Sequence, residues 1–195
     1  MGPGMTDGPP DIVVDLSPAW TQVSWGDDIE AWAPWAAERL WTASGRPFSD
    51  LDVRMLATEL EGTARGAFAV PCFGAFVFCP ELTRGPRAVL RLTGLRFPDG
   101  MGEQEIIDQV LLPAELRLVP PEVEYPTGPG LRRIRIRQRA WTEKERTIAD
   151  HIAYVFPFDE GAWLLSTSLP DPLEAERWLA DLDELSAALQ LRENA

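Results

Sequence analysis

The clearest hydrophobic pattern lies in the last third of the chain, where apolar and polar positions alternate in successive runs. These runs span residues 131–141, 147–156 and 162–169, and short polar turns separate them. Alternation with a period of two is typical of strands that bury one face. Because short turns join antiparallel neighbours, the pattern predicts a three-stranded antiparallel meander.

A longer spacing, with apolar residues three or four positions apart, indicates a helix after the last of these runs. Asp171 is suited to cap it, Pro172 to occupy its first position and Glu174 its first turn. The apolar stripe runs from Trp178 to Leu189 and predicts burial of one side of this helix.

Two further helices are predicted near the start of the chain. The first covers residues 29–41 and is expected to begin or kink near Pro34, which cannot donate a backbone hydrogen bond. The second begins after Ser49, a suitable N-cap, and Gly62 and Gly66 are expected to bracket its end.

The middle of the chain has mainly strand patterns. Residues 68–79 and 88–97 are rich in β-branched and aromatic side chains, a short helix is predicted at 102–111, and a strand at 115–119. The fold class expected from this order is α+β. A central antiparallel sheet of about five to seven strands would carry the N-terminal helices and a C-terminal helix packed on it.

The length of 195 residues suits one domain, predicted at residues 11–191, after a Gly/Pro-rich leader at 1–10 that we expect to be disordered. No secretory signal or membrane-spanning run is recognised, and Cys72 and Cys79 fit neither a metal site nor a redox motif. We therefore expect a cytoplasmic protein with buried thiols, no metal and no cofactor.

The net charge limits the classes of partner that the protein is expected to bind. The formal net charge is −13 and the isoelectric point is about 4.5. Nucleic acids and anionic membrane surfaces attract positively charged proteins, so neither is expected as a partner. We therefore expect the partner to be another protein.

One segment of this acidic chain is strongly basic and contains four alternating arginines, which we call the arginine ladder. Residues 130–147 carry a net charge of +5, and Arg133, Arg135, Arg137 and Arg139 share one face of the predicted strand. One interpretation is a binding patch for an anion or an acidic partner. The alternative is a sheet face on which acidic residues of neighbouring strands pair with the arginines.

Tryptophan residues are concentrated near the start of the chain. Five of the eight tryptophans lie within the first 41 residues, where Trp25, Trp32 and Trp35 are candidates for an aromatic contact surface. Packing between the N-terminal helices and the sheet is the competing interpretation.

His151, the only histidine, lies in the middle of a predicted strand, and Asp150 points to the other face and cannot orient it. A structural histidine is therefore favoured over a catalytic base. With one histidine and two cysteines, a His/Cys metal cluster is excluded.

The segment from Val14 to Trp20 resembles the turn after the first strand of the PsbP-like α/β superfamily, although Ala19 stands where those domains have glycine. The C-terminal strands and helix follow the same order of elements. The resemblance implies a non-catalytic domain that docks onto another protein.

The function expected is a non-catalytic protein-binding domain of adaptor or chaperone type. An immunity-type inhibitor of a basic toxin is one alternative, since strong acidity would steer it to such a partner. A small-ligand-binding protein or enzyme with a pocket near His151 and Tyr154 is the other.

Overall fold

The protein is described here by a computed structural model. It describes residues 11–97, 101–127, 131–142, 147–158 and 161–192. The predicted leader and the predicted turn at residues 143–146 lie outside these ranges.

The described elements follow one another in this order along the chain: β1 (Asp11–Val14), β2 (Trp20–Ser24), α1 (Ile29–Ser44), α2 (Asp50–Ala67), β3 (Gly74–Phe78), β4 (Ala88–Arg96), α3 (Glu103–Val110), β5 (Glu122–Glu124), β6 (Ile134–Thr142), β7 (Thr147–Phe158), β8 (Gly161–Leu169), α4 (Pro172–Ala188) and β9 (Leu189–Arg192).

Seven of the strands form one antiparallel sheet in the spatial order β2-β3-β4-β8-β7-β6-β5. A separate two-stranded sheet joins β1 to β9. The predicted α+β class is confirmed, and so is the meander, whose strands β6, β7 and β8 are neighbours in the sheet.

The helix caps explain where three helices begin. Asp28 accepts hydrogen bonds from the first backbone N–H groups of α1, and Ser49 forms a capping box with Asp52 at α2. Asp171 accepts from Leu173 N at the start of α4. Each cap satisfies backbone donors that the helix itself leaves unpaired.

Helices cover both faces of the sheet. Helix α4 packs on the face that bears Phe76 and Tyr154, which we call the α4 face. The α1–α2 hairpin covers the β2–β4 end of the opposite face, and α3 covers its β6–β7 end. We call this opposite face the hairpin face; it bears Val77 and Ala153.

Two sequence expectations about element ends are wrong. Helix α2 continues past Gly62 and Gly66 to Ala67, because its buried stripe reaches Ala64 and Ala67 and outweighs the low helix propensity of glycine. The strand expected at residues 115–119 is replaced by a 3-10 turn at Ala114–Leu116 and a single bridge, and β5 begins only after the two prolines that follow.

Both outer strands of the described sheet are protected against pairing with another chain. Trp32 Nε1 donates to the carbonyl oxygen of Gln22 at 2.7 Å, and the Arg39 guanidinium donates to that of Trp20. At the other edge, β5 is three residues long and carries two glutamates. Short, charged or covered edges disfavour strand addition.

Within the part of the chain that the structure describes, no helix has the length and apolar character needed to cross a bilayer.

Candidate functional site

The ladder arginines on β6 share one face of the strand, as the alternation predicted, and the structure shows that this is the α4 face. Arg135 forms an ion pair with Asp183 on α4 and another with Glu124 on β5 at 2.6 Å. Burial lowers the pKa of Arg135, but the hydrogen bonds that it donates to these two carboxylates outweigh burial and raise the pKa overall. This guanidinium is therefore charged and committed to internal partners.

Asp150 is the centre of the ladder. Its side chain is fully buried on β7, and Arg137 Nε and Nη2 donate to its Oδ2 at 2.9 and 2.6 Å. Arg139 Nε donates to its Oδ1 at 2.7 Å. Burial alone would raise the pKa of Asp150, but hydrogen bonds and charge from the two arginines lower it overall. The carboxylate therefore stays ionised inside the protein.

The remaining arginines extend this arrangement. Arg137 also donates to Glu176 on α4 at 2.8 Å, so one guanidinium joins β6, β7 and the helix. Arg133 is 6% exposed, and its Nε has no hydrogen-bond partner in the described part of the protein. The geometry matches the alternative in which neighbouring acids neutralise the ladder, although two of those acids come from α4.

Tyr154 belongs to the same network. Its hydroxyl donates to Asp183 Oδ1 at 2.7 Å, and the side chain is fully buried. Burial, reinforced by the Asp183 carboxylate, raises the pKa of Tyr154 well above its ordinary value. The phenol therefore acts as a neutral donor that positions Asp183.

A pocket built from both His151 and Tyr154 is excluded by their positions. The two residues are three apart on β7, so their side chains leave the sheet on opposite faces. His151 lies on the hairpin face between Gln138 and Ser168, its partners in register. Its ring makes no hydrogen bond to any described residue, and burial lowers its pKa.

The three candidate tryptophans have different environments. Trp25 and Trp35 are 61% and 58% exposed, whereas Trp32 is 8% exposed and bonds to the edge strand β2. The expectation that Trp32 belongs to a contact surface is therefore wrong, because its position on α1 turns it towards the sheet.

Weak contacts hold the two exposed rings. Trp25 meets Phe68 edge-on, with 5.7 Å between ring centroids, and the Arg39 guanidinium lies 5.8 Å from the Trp35 centroid. Both rings therefore keep a large apolar area in contact with water.

Two exposed apolar residues on α2 were not predicted from the sequence. Leu51 and Met55 are 57% and 60% exposed and lie one turn apart, opposite the buried side of the helix that contains Leu56 and Leu60. The signal was present in the sequence, because helical spacing places these two pairs on different sides.

Arg87 and Arg91 were also missed. They line a groove of about 380 Å³ between α2, β4 and β8 on the hairpin face, beside Ser168. Among the described residues, no cluster of three or more histidine, cysteine or acidic side chains has the geometry of a metal site.

No protein-family model matches the chain, and no curated protein matches it. The resemblance to the PsbP-like superfamily therefore remains a prediction.

Proposed function

We propose that this chain is a non-catalytic, cytoplasmic protein-binding domain of adaptor or chaperone type. Its contact surface consists of the α1–α2 hairpin and Trp25, which lies in the segment leading into α1. The observation that carries the proposal is the exposure of more than half of both Trp25 and Trp35. Tryptophan is enriched among the residues that dominate binding energy at protein interfaces, and burying one such ring removes a large apolar area from water.

The neighbouring apolar residues support the same region. Leu51 and Met55 lie on the outward side of α2, so this hairpin exposes large apolar side chains from both helices. Exposed apolar residues are normal when scattered, whereas several of them within one supersecondary unit favour an interaction surface.

The charge around these residues indicates the partner's chemistry. Residues 25–70 contain eight acidic and four basic side chains. A partner with an apolar centre and a basic rim would complement this segment and would be steered towards it. A basic toxin bound by an immunity-type inhibitor has the same chemistry and is one possible identity of that partner.

The other candidate surfaces support the proposal less well. Three of the four ladder arginines are engaged by Asp150, Asp183 and neighbouring glutamates, and the fourth, Arg133, is buried, which leaves little free positive charge to attract an acidic partner. The covered edges of the sheet disfavour binding by strand addition. The proposal therefore assigns recognition to side chains of the hairpin.

The test is affinity capture from the native host with three forms of the protein. The unaltered chain and a Leu173→Ser control, which removes an 80% exposed leucine from α4, should retain the same partner. The Trp25→Ser/Trp35→Ser variant should lose it. Circular dichroism checks that all three forms are folded.

Capture that is equal for the control and the double tryptophan variant would contradict the proposal. The proposal would also be contradicted if the captured partner were a second copy of this chain. Sedimentation velocity of the purified protein detects such self-association.

A further inference from the structure

The groove on the hairpin face has walls of mixed character. The last turns of α2 form one wall through Thr63 and Gly66, and β4 and β8 form the floor. Its volume of about 380 Å³ is at the lower end of the range of roughly 300–1,000 Å³ typical of small-molecule sites.

Two positive charges line this groove without a counter-charge. Arg91 lies on β4 and Arg87 directly precedes this strand, four residues and therefore about 14 Å away along the chain. Both are partly buried, and neither forms an ion pair with a described residue. No carboxylate is among the described residues that line the groove.

The lack of an ion pair distinguishes Arg87 and Arg91 from several other arginines of the protein. Other arginines of the described residues, among them Arg65, Arg135 and Arg177, form ion pairs with carboxylates. An anion in the groove would be attracted to both of these side chains.

The groove also offers neutral donors and open space. The hydroxyls of Thr63 and Ser168 face it and make no hydrogen bond to a described residue. A side-chain carbon added at Gly66 would meet nothing within 4 Å, so this glycine leaves the wall open.

We propose that this groove binds the phosphate group of a small phosphorylated molecule, held by Arg87 and Arg91 with help from the Ser168 hydroxyl. A phosphate monoester carries a charge of about −2 and three terminal oxygens, which matches two guanidinium groups and the hydroxyl donors. A single carboxylate supplies half of that charge. A groove of this volume accommodates a small molecule.

The test measures thermal stabilisation by inorganic phosphate and by phosphoserine, each compared with sodium chloride at equal ionic strength. A ligand that binds only the folded state raises the melting temperature as its concentration exceeds the dissociation constant. The unaltered protein should show a saturable increase that chloride does not produce. Arg87→Gln and Arg91→Gln should each lose most of it.

Matched glycine variants separate binding in the groove from general charge effects. Gly66→Leu places a side chain in the groove, whereas Gly62→Leu places one on the same helix outside the groove lining. The first should abolish the phosphate effect and the second should keep it.

Equal stabilisation by phosphate and chloride would overturn the proposal, as would a phosphate effect that survives Arg91→Gln. Succinate has the same charge as a phosphate monoester and two carboxylates. Stabilisation by succinate as strong as that by phosphate would overturn the assignment to phosphate.

Discussion

Replacing Asp150 by asparagine removes the one buried carboxylate that two ladder arginines share. The amide keeps the shape of the side chain but loses the negative charge that compensates Arg137 and Arg139. Breaking one side of a buried ion pair typically costs 3–5 kcal/mol, because the remaining charge is left without its partner.

The structure places Asp150→Asn at the lower end of this range. Arg137 retains Glu176 at 2.8 Å, and the Arg139 side chain is 39% exposed and can turn towards water. We expect a loss of about 3 kcal/mol, which lowers the melting temperature of a domain this size by roughly 6–12 °C.

The assay is thermal unfolding followed by circular dichroism, with Glu30→Gln as the matched control. Glu30 also pairs with an arginine, but at the surface, where such a pair contributes about 1 kcal/mol or less. Because the pKa of Asp150 is lowered in the folded state, the difference between wild type and Asp150→Asn should persist down to about pH 4 and narrow below it. Equal melting temperatures for Asp150→Asn and the control at pH 7 would refute this reasoning.

Three further predictions follow from single residues. Burial lowers the pKa of His151, so below about pH 6.5 the unfolded chain binds a proton more readily than the folded protein, and acid lowers the stability. His151→Gln removes this group, so its melting temperature should fall less than that of wild type between pH 7.5 and 5.5. A Cβ at Gly161 would lie 2.1 Å from the Leu95 carbonyl oxygen, so Gly161→Ala should lose about 1–3 kcal/mol in urea unfolding, whereas Gly62→Ala, with open space around it, should not destabilise. Burial raises the pKa of Cys79 to about 12, so a thiol reagent at pH 8 should label this residue only as fast as the protein unfolds.

Local patterns in the sequence were sufficient to predict much of the fold. The meander follows from alternation within each strand, and the starts of α2 and α4 follow from Ser49 and Asp171, whose capping bonds involve residues two or three positions away. Such signals depend on neighbouring residues and can be read without knowledge of tertiary contacts.

Elements that depend on distant residues could not be predicted in this way. Strand β9 is four residues long and is held by β1, more than 170 residues away. It continues directly from α4, so its apolar residues read as part of the helical stripe. Long-range pairing of this kind leaves no local pattern.

In the candidate site, too, features set by local spacing were predicted and features set by distant contacts were not. Alternation placed the arginines on one face, and Asp150 on the other face from His151, both from spacing alone. The acids Glu176 and Asp183 come from α4, and only the packing of that helix brings them to β6. The contrast between buried Trp32 and exposed Trp35 likewise depends on how α1 is rotated against β2.

The central claim, that the hairpin rather than the arginine strand contacts a partner, is tested most directly by site-specific photo-crosslinking. A photoreactive benzoylphenylalanine would replace Trp35 on α1 or, separately, the 43% exposed Trp141 on β6, in cells of the native host. We predict a covalent adduct with a second protein from position 35 and none from position 141. An adduct from position 141 with none from position 35 would contradict the account.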